Sequence, residues 1–175
     1  DTSAGMLAFH SAAQLPAGAG PRHIVFHPNG RWVYVSNELN ATVGVFRWEA
    51  EAGQLALLET LSTLPAQENF GATNAVADLH LTPDGRFLYV SNRGHNSLAR
   101  YAVDGHSGGL TFLGCTPSGG DWPRGFAISP GGRWLVCAHQ HSNDVFVHEI
   151  DPGTGELRLS GARAEVPAGV CVRFL

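Results

Sequence analysis

The chain has 175 residues, a net charge of −4 and 11 basic against 15 acidic residues. The basic residues are scattered, which excludes a nucleic-acid-binding stripe, and no apolar run reaches the length of a membrane span. Cys115, Cys137 and Cys171 are odd in number and far apart, which argues against a disulfide framework and for a reducing compartment, the cytoplasm.

Residues 6–14, after Gly5, read as one strand that ends a blade begun upstream. A first complete unit follows, with strands over 23–27, 32–36, 42–48 and 54–61. Its first hairpin turns at Pro28-Asn29-Gly30, and its second strand is rich in aromatic and β-branched residues. The stretch at 66–77 is the longest interruption, of the kind that carries function or moves. A second unit has strands at 79–81, 87–91, 97–103 and 110–115. A third has strands at 125–128, 134–138, 144–150 and 156–162. The tail, 167–175, aligns with the first strand of a unit and is expected to be a closing strand. No window keeps a helical period without Gly or Pro.

The three units repeat one pattern. PRHIVFHPNGRWVYVSN (21–37), DLHLTPDGRFLYVSN (78–92) and PRGFAISPGGRWLVCA (123–138) each join two hydrophobic runs through a turn glycine. Those glycines, Gly30, Gly85 and Gly132, are spaced by 55 and 47 residues. This is the signature of a propeller-type array. The expected fold is all-β: three four-stranded blades, at about 21–65, 78–122 and 123–166, with partial strands at both ends. Three units do not close a ring of about four to eight blades, so the rest of the ring is expected from an N-terminal half or from a second chain.

In such a blade the start of the first strand lies beside the end of the second. One mouth of the channel should therefore collect Arg22, His23, Asn37 and Glu38, then Asp78, His80, Asn92 and Arg93, then Arg124 with 138–141. The excess of Arg and His suits an anion. Asn37 and Asn92 also suit strand termination, the arginines and Glu38 suit inter-blade ion pairs, and His23 and His80 suit structural roles. His10, His27, His95, His106 and His148 read as surface or turn residues, and the cysteines as core. His139-Gln140-His141 offers two histidines, short of the three or four ligands a metal takes. No metal and no cofactor is expected. Phosphate-loop and serine-nucleophile motifs are absent.

The stretches 18–46, 77–93 and 123–151 resemble the lactonase family of seven-bladed propellers, with GPRH followed by NELN the most specific part. The resemblance covers nearly the whole chain but only the C-terminal half of a typical member. It implies a lactonase, with hydrolysis of 6-phosphogluconolactone the leading activity. It implies family roles for Arg22, for Glu38 sixteen residues later, for Arg93 and for His23, and it places a further family histidine upstream of Asp1. Residues 138–141 depart from the family pattern, which bears on substrate choice.

A lactone carbonyl needs charge stabilisation as water attacks, and arginines supply it. Catalytic candidates are Glu38, His23, Arg22 and Arg93; substrate-binding candidates are Arg124, His80, His139 and Gln140. Glu38 and His23 compete for the role of base. Two other readings stay open. One is a muconate-type lactonizing enzyme, related by fold; the other is a propeller serving only as a binding scaffold. The partner expected is a small anionic lactone, with no nucleic acid and no membrane, and the 175-residue chain is expected to be inactive without the rest of its ring.

Overall fold

The computed structural model describes residues 5–66 and 73–175. Among them are twelve strands in three four-stranded antiparallel sheets. The first blade is β1 (Pro21–Phe26), β2 (Trp32–Asn37), β3 (Thr42–Glu49) and β4 (Gln54–Ser62). The second is β5 (Ala75–Leu81), β6 (Phe87–Arg93), β7 (Ser97–Val103) and β8 (Leu110–Pro117). The third is β9 (Pro123–Ile128), β10 (Trp134–His139), β11 (Asp144–Ile150) and β12 (Leu157–Glu165). No described helix is long and apolar enough to cross a membrane.

Alternation along the second strands builds the core. Trp32 and Tyr34 point from the first blade into a cluster with Val76, Leu79, Leu88 and Tyr101 of the second. On the other face of the same strand, Val33 and Val35 pack with Phe46. Phe87 and Tyr89 face Phe126, Leu135 and Cys137 of the third blade. The period of two in each strand thus feeds two inter-blade layers. A repeated polar lock joins the blades: Tyr34 Oη donates to the Gly108 carbonyl at 3.0 Å, and Tyr89 Oη donates to the Gly155 carbonyl at 2.6 Å. Both glycines have positive φ, and a Cβ on either would overlap the aromatic ring of Trp32 or Phe87, so glycine is required twice over.

Three expectations are corrected. Residues 6–14 form no strand; the segment is instead tied to the first blade through side chains, with His10 Nε2 2.7 Å from the Ala52 carbonyl oxygen and Ser11 Oγ donating to the Gly53 carbonyl at 3.0 Å. The tail 167–175 likewise joins no ladder, although it packs on the third blade: a Cβ on Gly125 would lie 2.5 Å from the Val170 carbonyl oxygen. The second unit begins at Ala75 rather than at residue 78. Of the stretch at 66–77 expected to carry function or move, residues 67–72 lie outside the described residues and 75–77 belong to β5.

Candidate active site

Every first strand carries an irregularity at the same end. The register slips between Pro21 and His23, between Val76 and Leu79, and between Pro123 and Gly125. Each slip inserts one extra residue, a β-bulge, which re-aims side chains locally. Arg22 and Arg124 are the extra residues of the first and third blades. The serine of the Ser-Asn pair serves these bulges. Ser36 Oγ accepts the His23 N–H at 3.1 Å and donates to the Ala77 carbonyl at 3.0 Å, and Ser91 Oγ accepts the Asp78 N–H at 3.0 Å.

The bulges open onto a cavity of about 430 Å³. Arg22, His23, Asp78, His80 and Arg124 line it, and residues 170–173 of the tail form the remaining wall. Arg173 adds a third guanidinium, so the lining carries three arginines against one carboxylate.

Two charged groups organise the site. Asp78 is almost wholly buried. Its Oδ1 lies 3.1 Å from His23 Nδ1 and its Oδ2 lies 3.3 Å from His80 Nε2. Burial alone would raise its pKa, but the His80 contact, the Phe126 N–H and His23 together hold it below the usual carboxylate range. Glu38 does not line the cavity; it lies 3.5 Å from Arg22 Nε and accepts from Arg93 Nη2. Its partial burial opposes ionisation, yet Arg93, Arg22 and Arg124 together keep it ionised well below neutrality.

Arg22 has its pKa lowered by burial and by Arg93 and Arg124, with Glu38 and Asp78 opposing. Its Nη1 is buried without a hydrogen-bond partner among the described residues. Arg124 Nη1 donates to the neutral Gln140 Oε1 at 3.0 Å, so its guanidinium is held in place by an uncharged partner. His23 is held neutral near pH 7 by burial, Arg22 and His80, with Asp78 pulling the other way.

The structure brings together Arg22, His23, His80 and Arg124 in the cavity, with Glu38, Arg93 and Gln140 one contact behind. It does not bring His139 there. His139 is fully buried, with Nδ1 3.0 Å from Asp144 Oδ1 and its ring edge-on to Phe146. The loop at 118–121 covers it, since a Cβ on Gly120 would touch its ring. His141 instead stacks on Trp122, so the His139-Gln140-His141 run shares no centre. Among the described residues no group of three His, Cys, Asp or Glu side chains is placed to hold a metal. His27 and His148 are also buried, not superficial. His27 Nε2 spans to the Gly85 carbonyl at 3.2 Å, and Asn92 is a buried hub that accepts from Thr63 Oγ1 at 2.8 Å.

The sequence places Asp78 at the mouth without a role, and it marks neither Trp122 nor the tail's place in the cavity wall. Trp122 has φ of 67°, a region bulky residues rarely adopt. Its ring lies 5.6 Å from the Arg93 guanidinium carbon.

The family described as "Lactonase, 7-bladed beta-propeller" matches residues 1–174. A 6-phosphogluconolactonase of Bacillus subtilis is 36% identical over 98% of this chain and 48% of its own length. A solved protein from Lactobacillus plantarum superposes with a TM-score of 0.91 at 36% identity, over 97% of this chain and 49% of that one. A periplasmic gluconolactonase from Pseudomonas aeruginosa superposes at 0.82 with 39% identity, over 89% and 42%. The chain spans about half the length of the curated relatives it matches.

Proposed function

Because the chain belongs to the lactonase family of seven-bladed β-propellers, we propose that it supplies the arginine-lined wall of a pocket that hydrolyses a sugar-acid lactone, 6-phosphogluconolactone to 6-phosphogluconate. The observation that carries this reading is the pair of bulges that turn Arg22 and Arg124 into one cavity. Relatives named 6-phosphogluconolactonase support the substrate class.

In this reading Arg124, which forms no ion pair among the described residues, holds the substrate's anionic group. Arg22, braced by Glu38 and Arg93, offers its unpaired Nη1 to the oxygen that becomes negative as water attacks the carbonyl. A side chain already in place gives that stabilisation without reorganising during the reaction. Glu38, strongly ionised between two guanidiniums, is a poor proton acceptor, and His23 is the better placed base.

Three blades of a seven-bladed ring leave two flanks to be covered. Ile24 and Phe26 of β1 are half exposed, which fits a surface that another blade covers. Activity is proposed for the completed ring, located in the cytoplasm, with the remaining blades supplied by an N-terminal half or a second chain. The test is hydrolysis of 6-phosphogluconolactone by the complete protein and by its Arg22→Met and Arg124→Met variants, with Arg22→Met expected to lose most of kcat and Arg124→Met to lose kcat/KM through a raised KM.

A further inference from the structure

We infer that Asp78 is a positioning residue that makes His23 the general base of the site, an inference that rests on the lactone-hydrolysis reading above.

Asp78 joins three consecutive blades through one carboxylate. Oδ1 accepts the Leu79 N–H at 3.0 Å and faces His23 Nδ1 of the first blade at 3.1 Å. Oδ2 accepts the Phe126 N–H of the third blade at 3.2 Å and faces His80 Nε2 at 3.3 Å. With a backbone N–H on each oxygen, the carboxylate has little freedom to rotate. His23 must then present Nδ1–H to Oδ1, which leaves Nε2, with its lone pair, as the ring nitrogen for the cavity. His23 is 45% exposed against 28% for His80. The His80 ring is also pinned edge-on to Phe126 at 4.9 Å. Of the two histidines that share Asp78, His23 is therefore the one free to meet a water molecule.

The chemistry balances without any further reactant. Water oxygen adds to the lactone carbonyl carbon while its proton passes to His23 Nε2. The negative charge that forms on the carbonyl oxygen falls to Arg22. Collapse of the tetrahedral species breaks the ring C–O bond, and the same Nε2 returns the proton to the departing ring oxygen, giving a hydroxy acid. Asp78 stabilises the imidazolium that exists between the two transfers. Arg22 and His80 oppose that imidazolium, and Arg124 and Arg173 line the same cavity; among the described residues that line it, Asp78 is the negative group that faces His23. The repeat itself marks the exchange of roles: in the same position of the inner strand stand His23, Asp78 and Gly125, opposite Ser36, Ser91 and Ala138.

The experiment is the pH profile of kcat/KM on the complete protein, with 6-phosphogluconolactone and unphosphorylated gluconolactone as probes and spontaneous hydrolysis subtracted. Asp78→Asn and His23→Gln are compared with wild type. His23→Gln is expected to lower kcat about 10²–10⁴-fold. Asp78→Asn should lower kcat at least about tenfold and move the acid limb to lower pH, because loss of the carboxylate destabilises the imidazolium. A merely structural Asp78 would scale the amplitude with the folded fraction and leave the limb where it is, which would overturn the assignment. Should Asp78→Asn not fold, ¹⁵N spectra of wild-type His23 decide instead: a proton on Nδ1 at neutral pH supports the inference, and one on Nε2 overturns it. A wild type that turns over neither lactone overturns the lactonase reading, and the base assignment with it. An active wild type with an unmoved limb in Asp78→Asn overturns the Asp78 assignment alone.

Discussion

Arg93 Nη2 donates to Glu38 Oε1 at 2.5 Å across the boundary between the first two blades. The guanidinium is 5% exposed and also donates to the carbonyls of Ala75 and Val76. Trp122 lies over it and is itself stacked on His141 at 4.7 Å. Arg93 is thus a fixed charge, and Glu38 passes its fixity on to Arg22.

From this comes the first prediction. Glu38→Gln keeps an acceptor for Arg93 but loses the charge that orients two guanidiniums. Stability should fall by about 1–2 kcal/mol, at the low end for a hydrogen bond to a charged group that is part exposed. Turnover should fall further, about 10²-fold, as for loss of one transition-state donor. Urea unfolding and kcat on one preparation check the two magnitudes. Disappearance of the acid limb in this variant would transfer the role of base from His23 to Glu38.

Arg124 should behave differently. Arg124→Met removes a charge that the uncharged Gln140 holds in place, so it should raise KM for 6-phosphogluconolactone about 10–100-fold and leave kcat nearly unchanged. The preference for the phosphorylated over the plain lactone should shrink with it. A loss confined to kcat would place Arg124 at the developing oxyanion instead.

Gly125 tests the tail. A Cβ there meets the Val170 carbonyl oxygen at 2.5 Å, so Gly125→Ala must displace residues 170–173 or strain β9. The expected cost is about 1–3 kcal/mol, as for overpacking. Amide exchange at 168–173 should quicken and KM should rise, whereas an unchanged tail and KM would remove that segment from the cavity wall.

Acid stability follows from the buried histidines. Burial lowers the pKa of His139 despite Asp144, and lowers that of His148 despite the Pro117 carbonyl. The native state therefore resists protons that the unfolded chain accepts near pH 6.5. Their contribution is complete above that pH and is lost as pH falls toward the lower native values. The urea midpoint should drop between pH 7 and 5, and His148→Phe should flatten part of that drop. A midpoint independent of pH in both proteins would contradict the assignment.

The repeat made the three blades legible, because turn glycines and alternating apolar residues are local signals. The bulges were not legible: PRHIVF reads as a regular strand, and only pairing with β2 shows Arg22 as the inserted residue. Ser36 and Ser91 looked like strand ends, yet they satisfy the N–H groups beside the bulges. His139 stood at the right place in sequence for the mouth, but a loop from the preceding blade covers it, a tertiary contact without a local mark. Residues 6–14 open on an apolar run, Met6 to Phe9, that suits a strand, but a ladder needs a paired neighbour, which composition alone does not supply.

The cavity between the bulges is proposed to hydrolyse a sugar-acid lactone. The most direct measurement is the product formed by the complete protein when it is offered 6-phosphogluconolactone, plain gluconolactone and a muconate-type diacid in parallel. 6-Phosphogluconate should form at a rate well above spontaneous hydrolysis, with most of that rate lost in Arg22→Met. Rates at the spontaneous level for both lactones, or turnover of the diacid alone, would contradict it.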